Sequence, residues 1–307
     1  MLRSIHFSIF LVSFLTLELY AQRDIKLSYN YDEVNNKYVF EAQNLGNTHY
    51  TVVVNFKRLE NLHASTNLPA IKTIGPGMTK LFTLERSGPG TTDFDFNWIY
   101  WPGTHNAKVK DVLYTLPATP GIRMNVFETN TINETLGMDD ESDFYGLGFR
   151  LVEGDTICAI RGGIVESVIQ ETQTDTLTYT FTRNRNKFRI RHDDGTVANY
   201  SNFRNGSAMV EEGDEVFAGS FLAIATQTNT RGDATVLISI SHLNIDPNRS
   251  KDYKEWNENI YIRPRFKTKE HEGELVPSKT YISVINLEII TQEMSKRQKK
   301  KYLTGEN

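Results

Sequence analysis

The sequence predicts an all-β protein built from two successive β units, and three observations carry that expectation. Apolar and polar residues alternate in short runs, the period that half-buried strands require. Clusters of Gly, Pro, Asn and Asp separate these runs, as turns between strands do. No helical period interrupts the pattern in the N-terminal part. At 307 residues, 39% hydrophobic and 11% aromatic, the chain holds enough apolar material for about two cores. Its formal net charge of -4 lacks the strongly basic balance of a general nucleic-acid binder.

Residues 1–21 read as a secretory signal peptide. Arg3 supplies a positive start, Phe7 to Leu17 is an uncharged apolar run, and small Ala21 precedes Gln22. Cleavage after Ala21 is expected, although Leu19 leaves an uncleaved anchor open. The run falls short of the roughly 20 residues that span a bilayer. No second long apolar segment follows, so no transmembrane segment is expected after cleavage, and the chain is expected in the periplasm or outside the cell. Cys158 is the only cysteine, which excludes an intrachain disulfide. In "DTICAIRGG" it is expected to be an inert buried thiol.

Residues 22–117 are expected to form an immunoglobulin-like β-sandwich. "IKLSYNYDEVNNKYVFEAQN" alternates, turns at Asn35 and Asn36, and alternates again, the pattern of a hairpin. "YTVVVNFKRL", "TKLFTLER" and "FDFNWIYWPG" supply further strands. Phe94, Phe96, Trp98 and Tyr100 are expected on a core or inter-domain face rather than a ligand surface. "LPATPG", residues 116 to 121, reads as the connector to a second domain at 118–290. That domain contains "TICAIRGGIVESVI", "TLTYTFTRN", "KFRIRHDDGTVANYSNF", "SAMVEEGDEVFAGSFLAIA" and "ATVLISISHLNID", with "KTYISVINLEIITQ" as a last strand. Residues 291–307 form a basic tail, expected to be solvated and partly frayed, with attraction to anionic wall polymer or lipid headgroups as the alternative. Glycosylation sequons stand at Asn133, Asn199, Asn205 and Asn248.

Three blocks of the second domain carry a resemblance. "YGLGFRLVEGDTICAIRGGIV" runs from Tyr145 to Val165, "RIRHDDGTVANYSNF" follows, and "VEEGDEVFAGSFLAIA" covers 210 to 225. In order and spacing, over roughly residues 118 to 243, the chain resembles the lysostaphin-type (LytM-like) zinc metallopeptidases, which are peptidoglycan endopeptidases. The resemblance implies a β-sheet domain of the duplicated-hybrid-motif type. Gly195, Gly213 and Gly219 stand where its tight turns need positive φ or close backbone approach.

The same resemblance implies that the chemistry is missing. Family members bind zinc through a His, an Asp and the second His of a His-x-His strand, leaving one position for an activated water. By resemblance the Asp position falls on Gly148, and its partner His on Phe144 at a spacing of four or within the acidic loop at a longer one. The His-x-His strand falls in "ATVLISIS", with Val236 at the assisting position and Ile238 at the ligand position, in a register that can slip by one residue. The assisting His of Tyr-x-His falls on Asn202. None of these side chains coordinates zinc or accepts a proton near neutrality. No metal site, catalytic residue or cofactor is therefore expected.

The expected function is that of an exported, catalytically silent binding or regulatory module, with peptidoglycan or a cell-wall hydrolase as partner. A second possibility is an active metallopeptidase with a rebuilt site using His192, His242 or the acidic loop of Asp139, Asp140, Glu141 and Asp143. The simpler reading of His192, Asp193 and Asp194 is a hairpin turn, and that of the acidic loop is solvation. A third possibility is a structural or adhesive β-protein whose groove has closed.

Overall fold

A computed structural model describes residues 25–129, 144–170, 186–228 and 233–305. The signal segment, the acidic loop, the Asn133 sequon and "TLTYTFTRN" lie outside the described residues. Within them the chain is all-β, as expected, with two short C-terminal α-helices.

The first seven strands form two sheets that face each other. They are β1 (Ile25–Asp32), β2 (Lys37–Asn44), β3 (Tyr50–Glu60), β4 (Leu62–Ala64), β5 (Ala70–Ile74), β6 (Gly77–Arg86) and β7 (Asp93–Pro102). One sheet has the order β1-β2-β6-β4 and the other β5-β3-β7. The β1–β2 turn falls at the Asn pair, where Asn36 takes φ 52°, a left-handed conformation that Asn tolerates. Phe40, Phe82, Val52, Val54 and Leu84 fill the space between the sheets. Phe94, Phe96, Trp98 and Tyr100 pack half-buried against this core, on the face expected of them.

Among the described residues, fourteen further strands build the second unit. They are β8 (Leu113–Tyr114), β9 (Arg123–Glu128), β10 (Leu147–Val152), β11 (Thr156–Cys158), β12 (Gly163–Ile169), β13 (Lys187–Arg191), β14 (Val197–Ser201), β15 (Glu215–Val216), β16 (Phe221–Ile224), β17 (Asp233–Ile245), β18 (Asn257–Tyr261), β19 (Arg265–Lys267), β20 (Glu272–Gly273) and β21 (Thr280–Ile282). The main sheet runs β15-β12-β13-β14-β17-β10-β9-β21, with β18 on the far half of β17. Gly195, Gly213 and Gly219 adopt φ of 87°, 97° and 88°, the positive values their turns were expected to need.

Three local expectations change. The first half of the "LPATPG" connector is interior, with Leu116 and Ala118 fully buried in the second core, while Pro120 and Gly121 are exposed; just before it, Thr115 N–H donates to the Ile160 carbonyl at 2.9 Å. Apolar side chains within a Pro/Gly-marked segment make it useful as packing as well as a link. "KTYISVINLEIITQ" splits into β21 and helix α1 (Leu287–Thr291), because Asn286 caps the Ile289 amide and starts a helix. The basic tail is ordered as helix α2 (Lys296–Thr304), started by a capping box between Ser295 and Gln298 and ended by left-handed Gly305.

The two units share a packed boundary. Val53 of β3 is buried with Leu243 and Ile245 of β17 and with Trp256. Glu166 of β12 is the polar pivot of that boundary. Its carboxylate, buried completely, accepts the His49 amide at 2.8 Å and lies 2.9 Å from Arg189 Nε and 3.3 Å from Arg191 Nε. Burial alone would raise this carboxyl, but His49 and Arg189 outweigh it and hold it below its ordinary range.

Candidate functional site

Of the positions implied for a zinc site, Gly148 falls on β10 and Val236 and Ile238 on β17, while Phe144 precedes β10 and Asn202 follows β14; β14, β17 and β10 lie side by side in the main sheet. Strand registers decide which of them share a face. Gly148 is opposite Leu237 on one side and Phe127 on the other, while Ser201 is also opposite Leu237. Directly opposed residues point to the same face, so Phe127, Gly148, Leu237 and Ser201 form one cross-sheet row. Ser239 and Asn199 form a second row two residues along. This is the half-exposed face of the sheet.

Val236 and Ile238 do not belong to it. Val236 is opposite Phe149, and Ile238 is opposite both Leu147 and Tyr200. All five are buried in the second core. The side chains at the expected His-x-His positions, Val236 and Ile238, thus lie on the face opposite to that of Gly148, whereas Leu237 and Ser239 share its face. The physical reason is the period of two. A one-residue slip moves every side chain to the other face, and the run Val-Leu-Ile with an apolar residue at each position hides which side is outward.

The space above Gly148 is filled. A Cβ built there would stand 2.6 Å from Phe127 Cε1 and nearer still to Cζ and Cε2. The Phe127 ring thus occupies the position from which a side chain at 148 would project, and Arg150 covers that ring at 5.5 Å. Phe144 stands off to one side, its ring 4.9 Å from that of Tyr261 and against Gly146. Asn202 follows the end of β14 with φ 73°, its amide donating to the Asn186 carbonyl at 3.2 Å. An Asn at this position has a backbone reason, since it enters the left-handed region more readily than most residues. Sequence reasoning missed Phe127, because nothing in "MNVFE" marks its ring as the neighbour of a residue 21 positions on.

The remaining candidates are structural in their contacts. His192 is fully buried, with Nδ1 2.8 Å from the Gly162 carbonyl. Burial, assisted by the Arg161 charge, pushes its pKa down to about 4, so it is neutral. Asp194 accepts the Thr196 amide and hydroxyl at 3.0 and 2.7 Å, the local bonding expected of a turn aspartate. Burial acts to raise its carboxyl, but the Lys110 amide and Arg161 prevail and hold it at about 2. His242 lies on the far half of β17, its Nδ1 3.2 Å from the Leu243 carbonyl. Among the described residues no three His, Cys, Asp or Glu side chains gather as metal ligands. Cys158 is buried, and desolvation pushes its thiol up to about 12.

A polar cluster that sequence reasoning did not foresee surrounds Arg161. Its fully buried guanidinium donates to both Glu293 oxygens at 2.7 and 2.6 Å, to Asp194 at 3.0 Å and to the Tyr114 hydroxyl at 2.9 Å. Glu293 follows α1, so this two-pronged bond ties the C-terminal segment to the turn that carries His192.

Three solved structures give the comparison. The chain is similar to a glycyl-glycine endopeptidase LytM candidate from Ruminococcus gnavus at 11% identity and TM-score 0.28, covering 48% of this chain and 57% of that one. It therefore spans little more than half the length of that neighbour. Pseudoalterin, an M23 metalloprotease from the deep sea, aligns at 13% identity and TM-score 0.28 over 55% of this chain and 98% of that one. Csd3 of Helicobacter pylori aligns at 10% identity and TM-score 0.27 over 78% of this chain and 71% of that one. No family model and no curated protein matches the chain.

Proposed function

We propose that this chain is an exported LytM-like protein without peptidase chemistry, acting as a binding or regulatory module with peptidoglycan or a cell-wall hydrolase as its partner. One observation carries the loss of chemistry: the Phe127 ring fills the space into which a ligand side chain at 148 would project. The row beside it presents Leu237 and Ser201, neither of which holds a catalytic metal. Export rests on the N-terminal segment read from the sequence, and among the described residues no helix is long and apolar enough to cross a membrane. The filled row also favours a second reading, a structural or adhesive β-protein that uses its outer surfaces alone.

The purified chain tests both. Metal analysis after zinc loading, together with incubation on peptidoglycan peptides, is expected to give no stoichiometric zinc and no cleavage. One zinc per chain with turnover would overturn the proposal. Co-sedimentation with purified cell-wall sacculi then separates the readings, since retention supports a wall-binding module and its absence moves the case to the protein partner or the structural role.

A further inference from the structure

Helix α2 carries a charge that the described chain does not neutralise. Lys296, Arg297, Lys299, Lys300 and Lys301 are five cations in nine residues, without one acidic residue among them. Lys296 with Lys300 and Arg297 with Lys301 repeat at i,i+4, a spacing at which like charges repel across the helix surface. Lys296 and Arg297 also stand in the first turn, against the positive end of the helix dipole. Among the described residues none of the five enters an ion pair, although pairs are frequent elsewhere on the surface. The helix is formed despite this opposition, by its capping box and its attachment at one side.

That attachment sets its orientation. Gln298 donates to Glu215 at 3.5 Å, and the Tyr302 ring meets Phe217 at 5.5 Å. These two residues, one turn apart, mark the side toward the protein. At roughly 100° per residue the five cations spread over the opposite side, with Leu303 among Lys296, Lys299 and Lys300. Leu303 is 54% exposed. Just upstream, the Glu293–Arg161 bond fixes the root of the helix to the buried cluster.

We propose that the outer face of α2 docks on an anionic lipid surface, the cations meeting headgroup phosphates and Leu303 entering the headgroup–acyl boundary. An external sheet of negative charge relieves the repulsion that the chain itself leaves standing. The exposed leucine in the midst of the cations selects a bilayer over a soluble polyanion, which offers it nothing apolar. The rigid root would then hold the β units at the membrane surface.

The protein as its host exports it is incubated with vesicles of phosphatidylcholine alone or mixed with phosphatidylglycerol, and binding is read by flotation. Binding is expected on the anionic vesicles and should weaken as salt rises. A variant with Lys299→Gln, Lys300→Gln and Lys301→Gln is expected to lose about a hundredfold in partitioning. Leu303→Ser keeps the charge and is expected to lose several-fold. Because α2 buries no residue, both variants should unfold at the wild-type midpoint. Equal binding to neutral vesicles, wild-type binding by the triple variant, or an unchanged Leu303→Ser would overturn the proposal. Binding to inorganic polyphosphate with none to vesicles would overturn it in favour of a soluble polyanion.

Discussion

Replacing Gly148 by alanine should drive Phe127 from its seat, and the cost can be worked from the packing. The new Cβ cannot coexist with the ring, whose three outer carbons already lie within contact of that point. Phe127 is half-buried, so ejecting it forfeits about half of the roughly 2–3 kcal/mol that a fully buried phenylalanine contributes. The Arg150 cation above the ring adds roughly 0.5–1 kcal/mol. Gly148→Ala is therefore expected to destabilise the chain by about 2 kcal/mol. In a Phe127→Ala background the ring is already absent, and alanine at 148 should cost nothing or stabilise slightly, since glycine is a poor strand residue. Urea unfolding of the four proteins in the cycle gives the coupling directly, expected at about 2 kcal/mol. Additivity to within about 0.5 kcal/mol would refute the claim that the ring fills this position. A corollary concerns the proposed loss of chemistry: an aspartate at 148 alone should restore no zinc binding while Phe127 remains.

Three further outcomes follow from the buried groups. Glu166→Gln leaves Arg189 and Arg191 without their carboxylate and should cost about 3 kcal/mol in thermal unfolding. Because the folded carboxyl is held below its ordinary value, its contribution is present above the ordinary carboxylate range and is lost as pH falls through the depressed value, so the variant should show a shallower acid limb. His192 is neutral when folded, with its pKa lowered from 6.5 to about 4, so the unfolded chain binds its proton first. Stability should be complete above 6.5 and fall by on the order of 3 kcal/mol as pH drops to about 4, and His192→Asn should remove that slope from urea midpoints. Cys158, with its thiol pushed up to about 12, should resist maleimide at mildly alkaline pH until the chain is unfolded, and stoichiometric labelling of the folded protein would contradict its burial.

Much of the fold was legible because its signals are local. The Asn35-Asn36 turn, the glycines at 195, 213 and 219, and the alternation of β13 and β14 each depend on a few neighbouring residues. The tail is solvated as expected, but its helical order was missed for a related reason. Its charge suggested fraying, while Ser295, Gln298 and Gly305, three ordinary capping residues, make it a helix. The "LPATPG" segment shows the opposite failure: its turn residues are plain, but that Leu116 and Ala118 enter a core depends on strands far along the chain.

The sequence by itself determined the all-β class, the turn positions and the absence of histidine between His105 and His192. Only the tertiary structure decided that Val236 and Ile238 face the core while Leu237 and Ser239 share the face of Gly148. It alone brought Phe127 over that glycine, and joined Arg161 to Glu293 across 132 positions. Alternation with period two states that neighbours point to opposite sides. Which side is buried, and which side chain lies across from which, is set by long-range register and by packing, and neither is written in any local run of residues.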